Sequence, residues 1–116
     1  MTTQTRRGAA DLERSTYQNL PAYRYIRASD ELPPTIPAEE PPVARIKLFN
    51  PTGSWTWYIS SYDPDTRQAY GLVCGFEKEY GYFDMTELVT FRGKFGLPIE
   101  RDLSFRPCAL TECFDK

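Results

Sequence analysis

The sequence predicts a single α+β domain: a small antiparallel β-meander, or a half-open barrel, with one short helix packed on it. Apolar and polar residues alternate through several segments between residues 43 and 105, as in half-buried strands. The 116-residue chain has room for one modest core, and 41% of its residues are hydrophobic. We divide it into a flexible N-terminal tail (1–16), a docking arm with a proline-rich linker (17–42) and a β-rich core (43–116).

The segments before the core predict a polar tail followed by an arm. Residues 1–15 carry no periodic apolar pattern, which is typical of a flexible terminus. Tyr23, Tyr25 and Ile26 form an apolar stretch that is expected to dock in extended conformation. Prolines hold residues 31–42 extended, because each fixes its own φ and restrains its predecessor. We interpret this stretch as a semi-rigid linker, with a ligand for a proline-binding domain as the alternative.

Four consecutive segments of the core predict strands, which are residues 43–49, 55–62, 70–76 and 80–83. The turn Asn50–Gly53 and the loop Asp63–Arg67 are expected to join them into hairpins. In the second strand, Trp55, Trp57 and Ile59 share one face, and Thr56, Tyr58, Ser60 and Tyr62 share the other. Gly71 and Gly75 lie on one face of the third strand, which predicts that an indole of Trp55 or Trp57 crosses them closely.

A short helix and a last strand complete the predicted core. Asp84 is expected to cap the helix, with Glu87 three residues later, and Gly93 to end it. Alternation then predicts a strand at residues 99–105, with Arg101 on its inward face.

Composition excludes several chemistries. The chain contains no histidine, so Ser-His and Cys-His nucleophiles, histidine bases and common metal triads are absent. Neither a P-loop nor a GxGxxG pattern occurs. The three cysteines fit reduced thiols better than a zinc site. We therefore expect no cofactor and no bound metal, and we predict no catalytic residue.

Charge and hydropathy bear on nucleic-acid binding, membrane contact and cellular location. The net charge of −2 gives no basic stripe for binding a phosphate backbone. No run of about 18 apolar residues and no signal-peptide pattern occurs, so a cytoplasmic protein without membrane contact is expected.

Several motifs resemble one protein family. They are the run Lys47–Tyr58, Tyr62-Asp63-Pro64, Tyr70–Glu77, Glu79–Phe83, Glu87-Leu88, Arg92-Gly93 and Ile99–Phe105, with Leu20-Pro21 upstream. Over roughly residues 17 to 112 the chain resembles the domain of unknown function DUF2958. The resemblance implies a bacterial protein of plasmids, integrative elements or phages, and it supplies no activity and no catalytic residue.

Two of the candidate sites are aromatic. A sheet face with Tyr58, Tyr62, Tyr70 and the two tryptophans would stack the bases of single-stranded nucleic acid, unless these residues form the core. The turn that contains Asn50, Thr52 and Ser54 would make a polar pocket against the aromatic wall of Trp55 and Trp57. The alternative is that these small residues only supply turn chemistry.

The third candidate is a charge cluster. Glu77 and Glu79 are expected to point to the same side about 7 Å apart, with Arg101 as their partner. Such a pair would serve acid and base roles or hold a hard cation, whereas surface carboxylates at a bend are the commoner case. Asp84 is interpreted as a helix cap.

These observations lead to three functional hypotheses. The first is a non-enzymatic accessory protein of a bacterial mobile element or phage, which contacts another protein and inhibits or modulates a host defence or an element-encoded machine. The second is single-stranded nucleic-acid binding through the aromatic face. The third is a hydrolase without histidine that uses Glu77 and Glu79.

Overall fold

The structure is a computed structural model that describes residues 10–17, 20–36 and 41–115. In chain order its elements are β1 (Asp11–Glu13), β2 (Ile26–Arg27), β3 (Val43–Ala44), β4 (Ile46–Phe49), β5 (Thr56–Asp63), β6 (Gln68–Cys74), β7 (Lys78–Asp84), α1 (Met85–Thr90), β8 (Glu100–Arg101), β9 (Cys108–Ala109) and α2 (Leu110–Phe114). Short 3-10 turns lie at Pro21–Tyr23, Ala28–Asp30 and Lys94–Gly96. Neither α-helix in the described part of the chain is long and apolar enough to cross a membrane.

A five-stranded antiparallel sheet forms the centre of the molecule, with the strand order β7-β6-β5-β4-β8. Strands β4 to β7 are joined by consecutive hairpins, and the sheet stays open because β7 and β8 lie at its two edges. The predicted α+β meander is therefore confirmed. The prediction named one helix, whereas α2 adds a second at the end of the chain.

Both faces of this sheet are covered. We call the side of Ile46, Leu48 and Ile59 the front face, and it packs against α1 and the N-terminal arm. The side of Tyr58 and Leu72 is the back face, and it packs against α2 and the residues before it. Alternation along the strands thus separates two hydrophobic clusters, one on each side of the sheet.

The predicted tail is wrong for residues 10–16, and residues 1–9 lie outside the described part of the chain. Asp11–Glu13 forms β1, which pairs with β2 of the arm. The Glu13 side chain is buried, where its carboxylate accepts hydrogen bonds from Tyr62 Oη at 2.5 Å and from Arg67 Nε at 2.8 Å. Thr16 N donates to Val89 O at the end of α1. A polar stretch is ordered here because buried partners satisfy its charge and its backbone.

The arm docks on the front face through Tyr25 and Ile26, whereas Tyr23 lies in a 3-10 turn and not in the extended stretch that was predicted. Tyr25 and Ile26 are fully buried, and Tyr25 Oη donates a hydrogen bond to Ile99 O at 2.6 Å. Pro33 O accepts a hydrogen bond from Tyr62 N at 2.9 Å, so the start of the proline-rich stretch follows β5. Residues 37–40 of the predicted linker lie outside the described residues. The arm and the core strands therefore share one hydrophobic core.

A β-bulge in β5 changes the predicted faces. Ile59 pairs with Gly71 and Ser61 pairs with Tyr70, so Ser60 is an extra residue in the ladder. From that point Tyr62 lies on the front face with Ile59, and the prediction that it shares a face with Tyr58 is wrong. At the bulge, a Cβ on Gly71 would lie 1.7 Å from Tyr58 O, so this glycine accommodates backbone and not an indole.

Helix α1 forms where the sequence predicts it. Asp84 is its N-cap and accepts a hydrogen bond from Thr86 N at 2.9 Å. This hydrogen bond from the backbone lowers the pKa of the Asp84 carboxyl group. Met85, Leu88 and Val89 bury one side of the helix against the front face.

The predicted last strand is much shorter than residues 99–105, because a turn at Asp102 ends it. Asp102 Oδ1 accepts hydrogen bonds from Ser104 N at 3.0 Å and from Ser104 Oγ at 2.8 Å. This Asx turn leaves Leu103 exposed, although it was predicted to point inward. The chain then reaches β9, which pairs with β3, and α2.

The C-terminal segment closes the back face with Leu110 and Cys113. Cys113 lies beside Cys108, and their Sγ atoms are 3.2 Å apart without a disulfide bond between them. The C-terminal segment therefore brings the sulfur atoms of Cys108 and Cys113 into contact.

Candidate binding groove

A groove of about 760 Å³ lies at one end of the front face, between strands β5 to β7 and helix α1. We call it the aromatic groove. It is lined by Asn50, Trp55, Trp57, Val73, Gly75, Phe76, Glu77, Glu79, Tyr80, Gly81, Tyr82, Phe83, Glu87, Leu88, Phe91 and Ile99. Its volume is in the range of small-molecule and peptide side-chain sites.

Two glycines shape this groove. A Cβ on Gly75 would lie 2.5 Å from the Trp55 indole, so the ring rests directly on the backbone there. The sequence predicted such a contact, and the structure confirms it for Gly75 and Trp55. At Gly81, a Cβ would have no atom within 4 Å, so the absence of a side chain leaves open space in the floor of β7.

Three aromatic rings form one wall. The centroids of Trp55 and Trp57 are 6.0 Å apart with the planes tilted by 34°. Phe76 meets Trp55 edge-on at 5.7 Å. The Phe76 side chain is 96% exposed, which is unusual for a large apolar residue. The wall therefore presents apolar surface to solvent.

The groove is also acidic. Glu77 and Glu79 line it from the β7 side, and Glu87 lines it from α1. Lys78 lies between the two glutamates in sequence, but alternation turns it to the back face, where its Nζ donates to Phe114 O at 2.6 Å. No lysine or arginine is among the described residues that line the groove. A ligand here meets aromatic rings and negative charge together.

The Asn50 turn combines the two predicted roles. Asn50 lines the groove, and its Oδ1 accepts hydrogen bonds from Thr52 N at 3.0 Å and from Thr52 Oγ1 at 3.1 Å. Thr52 and the exposed Ser54 are not among the lining residues, so these small groups supply turn chemistry. The turn positions Trp55 at the groove, because a hydrogen bond from Asn50 N to Trp55 O at 3.0 Å closes it.

The three predicted stacking tyrosines do not form one exposed surface. Tyr58 is buried on the back face against Phe105, and burial raises its pKa. Tyr62 is buried on the front face beside Glu13, where burial and the Glu13 hydrogen bond raise its pKa. Tyr70 is half-buried on the back face, with its ring centroid 5.0 Å from that of Tyr82. Tyr58 and Tyr70 therefore lie on the opposite side of the sheet from Tyr62, and the three rings cannot form one stacking surface.

The predicted charge cluster is wrong in its pairing. Glu77 and Glu79 both line the groove. Arg101 lies in β8, at the opposite edge of the sheet, four strand spacings of about 4.8 Å away. Its Nη1 and Nη2 donate to the two carboxylate oxygens of Asp30 at 2.9 Å each, and Nη1 also donates to Tyr25 O at 3.2 Å. Arg101 therefore fastens the arm to the sheet.

Sequence reasoning missed two important residues of the groove. Glu87 was interpreted only as part of a helix start, yet α1 carries it to the rim. Phe76 was predicted to lie within the strand of residues 70–76, but β6 ends at Cys74 and the chain turns there. Gly75 was the available signal, because a glycine inside a strand pattern often marks an irregularity of the strand.

Comparisons with known proteins give one match. No curated protein and no solved structure matches the chain. A family model described as "Protein of unknown function (DUF2958)" matches residues 23–114, which is well over half of the chain and includes every residue of the aromatic groove. The chain therefore belongs to the DUF2958 family.

Proposed function

We propose that this protein is a non-enzymatic binding domain that contacts another protein through the aromatic groove. The observation that carries the proposal is the exposure of Phe76 beside Trp55 at the rim of an acidic groove. Exposed aromatic residues at concave sites are common anchors of protein contacts, because they bury large apolar area at low entropic cost. Such a surface is costly in water unless a partner covers it.

Family membership supports the biological setting of the proposal. The DUF2958 resemblance implies a bacterial protein of plasmids, integrative elements or phages. In that setting we place the protein in the cytoplasm, where its partner belongs to a host defence or to an element-encoded machine that it inhibits or modulates. The absence of histidine from the sequence agrees with a role in binding.

The other two hypotheses find less support in the geometry. Base stacking needs exposed rings, and Tyr58 and Tyr62 are buried on opposite faces. Acid catalysis by a carboxyl group at neutral pH usually needs a desolvated site, and Glu77 and Glu79 are exposed at the groove rim. Exposed carboxylates are better placed to pair with a cation of a ligand.

Affinity capture with two matched variants tests the proposal. Phe76→Ala removes the anchor at the groove, and Phe95→Ala removes an aromatic ring that is 91% exposed outside it. Both side chains are nearly free of packing, so both variants should keep the native fold, which circular dichroism would verify. We expect the wild type and Phe95→Ala to capture the same bacterial protein and Phe76→Ala to lose it. Retention of that protein by folded Phe76→Ala would reject the groove as the contact.

A further inference from the structure

We infer that the aromatic groove binds an arginine side chain, presented by a positively charged segment of the partner protein. This inference rests on the proposed function and adds the chemical class of the ligand. Charge complementarity, the aromatic wall and the open floor of the groove each favour this occupant.

The first argument is charge. Glu77, Glu79 and Glu87 give the groove three carboxylates, and Lys78, which could neutralise them, points to the back face and contacts Phe114. An anionic ligand such as a phosphate backbone would meet like charge here. A cationic side chain would replace the water that now solvates the glutamates and would form charge-assisted hydrogen bonds with them.

The second argument is the aromatic wall. Trp55 and Trp57 contribute two indoles, the best aromatic partners for a cation, with centroids 6.0 Å apart. A guanidinium group is planar and weakly hydrated, so it stacks on an indole and keeps its edge free for a carboxylate. An ammonium group is a compact, strongly hydrated charge that gains less from a flat ring. Arginine therefore uses both features of the groove.

The third argument is space. Gly81 leaves the floor of β7 open beside Glu79, and Gly75 lets Trp55 lie against the backbone that follows β6. A long side chain can therefore enter along the sheet with its aliphatic part against Val73 and Phe83. The ligand's charged end then reaches the glutamates at the rim.

Intrinsic fluorescence provides a direct test, because the two tryptophans of the chain both line the groove. The probe is the peptide acetyl-Gly-Arg-Gly-Arg-Gly-amide, and its control carries citrulline, the neutral isostere of arginine. We expect a saturable change in tryptophan emission with the arginine peptide and affinity about tenfold lower for the citrulline peptide. Binding should also weaken as sodium chloride is raised to about 0.5 M.

Matched variants locate the interaction. The double variant Glu77→Gln/Glu79→Gln should lose about tenfold in affinity for the arginine peptide. Glu31→Gln removes an equivalent charge from an exposed position outside the groove and should bind as the wild type does. Unchanged affinity in the folded double variant would overturn the inference.

Two further outcomes would also overturn it. One is equal binding of the citrulline peptide, and the other is a saturable response to a single-stranded oligothymidine at low salt. Neither outcome decides the proposed function, because that depends on the loss of a captured protein in Phe76→Ala. Conversely, a partner retained by Phe76→Ala would reject the proposed contact even if the arginine peptide bound.

Discussion

Glu13 lies in a polar, aperiodic stretch, yet it is only 3% exposed and bonded to Tyr62 and Arg67. These partners are 49 and 54 residues away in the chain, so no local sequence pattern predicts the hydrogen bonds. Arg101 shows the same difficulty, since its partner Asp30 is 71 residues away. Sequence reasoning recognised that Arg101 points inward and needs a carboxylate, but the choice of partner depends on the order of the strands.

Replacement of Glu13 by glutamine should destabilise the protein. The amide accepts weaker hydrogen bonds from Arg67 and Tyr62 and no longer compensates the guanidinium charge, so we expect the free energy of unfolding to fall by about 2 kcal/mol. Urea denaturation followed by circular dichroism measures this. Asp11→Asn is the control from the same strand, because the Asp11 side chain, which pairs with Arg24, is 19% exposed whereas that of Glu13 is 1% exposed. Its replacement should cost less than about 1 kcal/mol. Equal losses in the two variants would argue against a special role for Glu13.

The central strands show which features of a strand or helix can be predicted from sequence. Alternation and turn residues located β4 to β7 and the capped helix α1, because hairpins and helix caps depend on neighbours in sequence. The bulge at Ser60 was missed, since one extra residue in a strand leaves the composition unchanged. Its effect reaches the candidate site, because it moves Tyr62 away from the face on which base stacking was predicted.

A pair of glycine substitutions tests the bulge. Gly71 and Gly81 are directly paired across β6 and β7, but only Gly71 lies against the backbone of the bulged strand. Gly71→Ala should therefore lower the free energy of unfolding by about 3 kcal/mol or more. Gly81→Ala should change it by less than about 1 kcal/mol, because its Cβ enters open space. Thermal and urea unfolding of both variants measure this contrast, and similar stabilities would contradict the close approach at Gly71.

The five-stranded sheet lies between the N-terminal arm on its front face and the C-terminal segment on its back face. The fold class followed from composition and alternation, but the way in which distant segments cover the sheet did not. The groove was predictable in part. The Asn50 turn, the tryptophans and the two glutamates were each selected from sequence, and the antiparallel pairing of β5 to β7 brings them together.

Stability should decline in alkaline solution because tyrosines are buried in both cores. Burial raises the pKa of Tyr25 from 10.0 to about 12, so its neutral form is favoured in the folded state. This contribution is fully present below pH 10 and is lost as the pH rises towards about 12, with a magnitude of roughly 3 kcal/mol. Burial also raises the pKa of Tyr58 and Tyr62, which act in the same direction.

Urea denaturation at a series of pH values measures this decline. In Tyr25→Phe the loss of stability above pH 10 should be shallower than in the wild type, although the variant begins lower because the hydrogen bond to Ile99 O is gone. Tyr80→Phe is the control, since Tyr80 lies partly exposed at the edge strand. Parallel alkaline profiles for the wild type and Tyr25→Phe would contradict the assignment.

The contact between Cys108 and Cys113 places two thiols of the C-terminal segment where they could form a disulfide bond. Their sulfur atoms are 3.2 Å apart, and a formed disulfide needs about 2.05 Å, so a small movement suffices. An oxidised thiol reagent such as glutathione disulfide would take two electrons and two protons from the pair, leave two glutathione thiols and join β9 to α2 covalently. In a reducing solution the two thiols stay separate, and packing, the pairing of β9 with β3 and the hydrogen bond from Lys78 Nζ to Phe114 O hold the segment against the sheet. In an oxidising solution we therefore expect the last turn to gain a covalent link to β9.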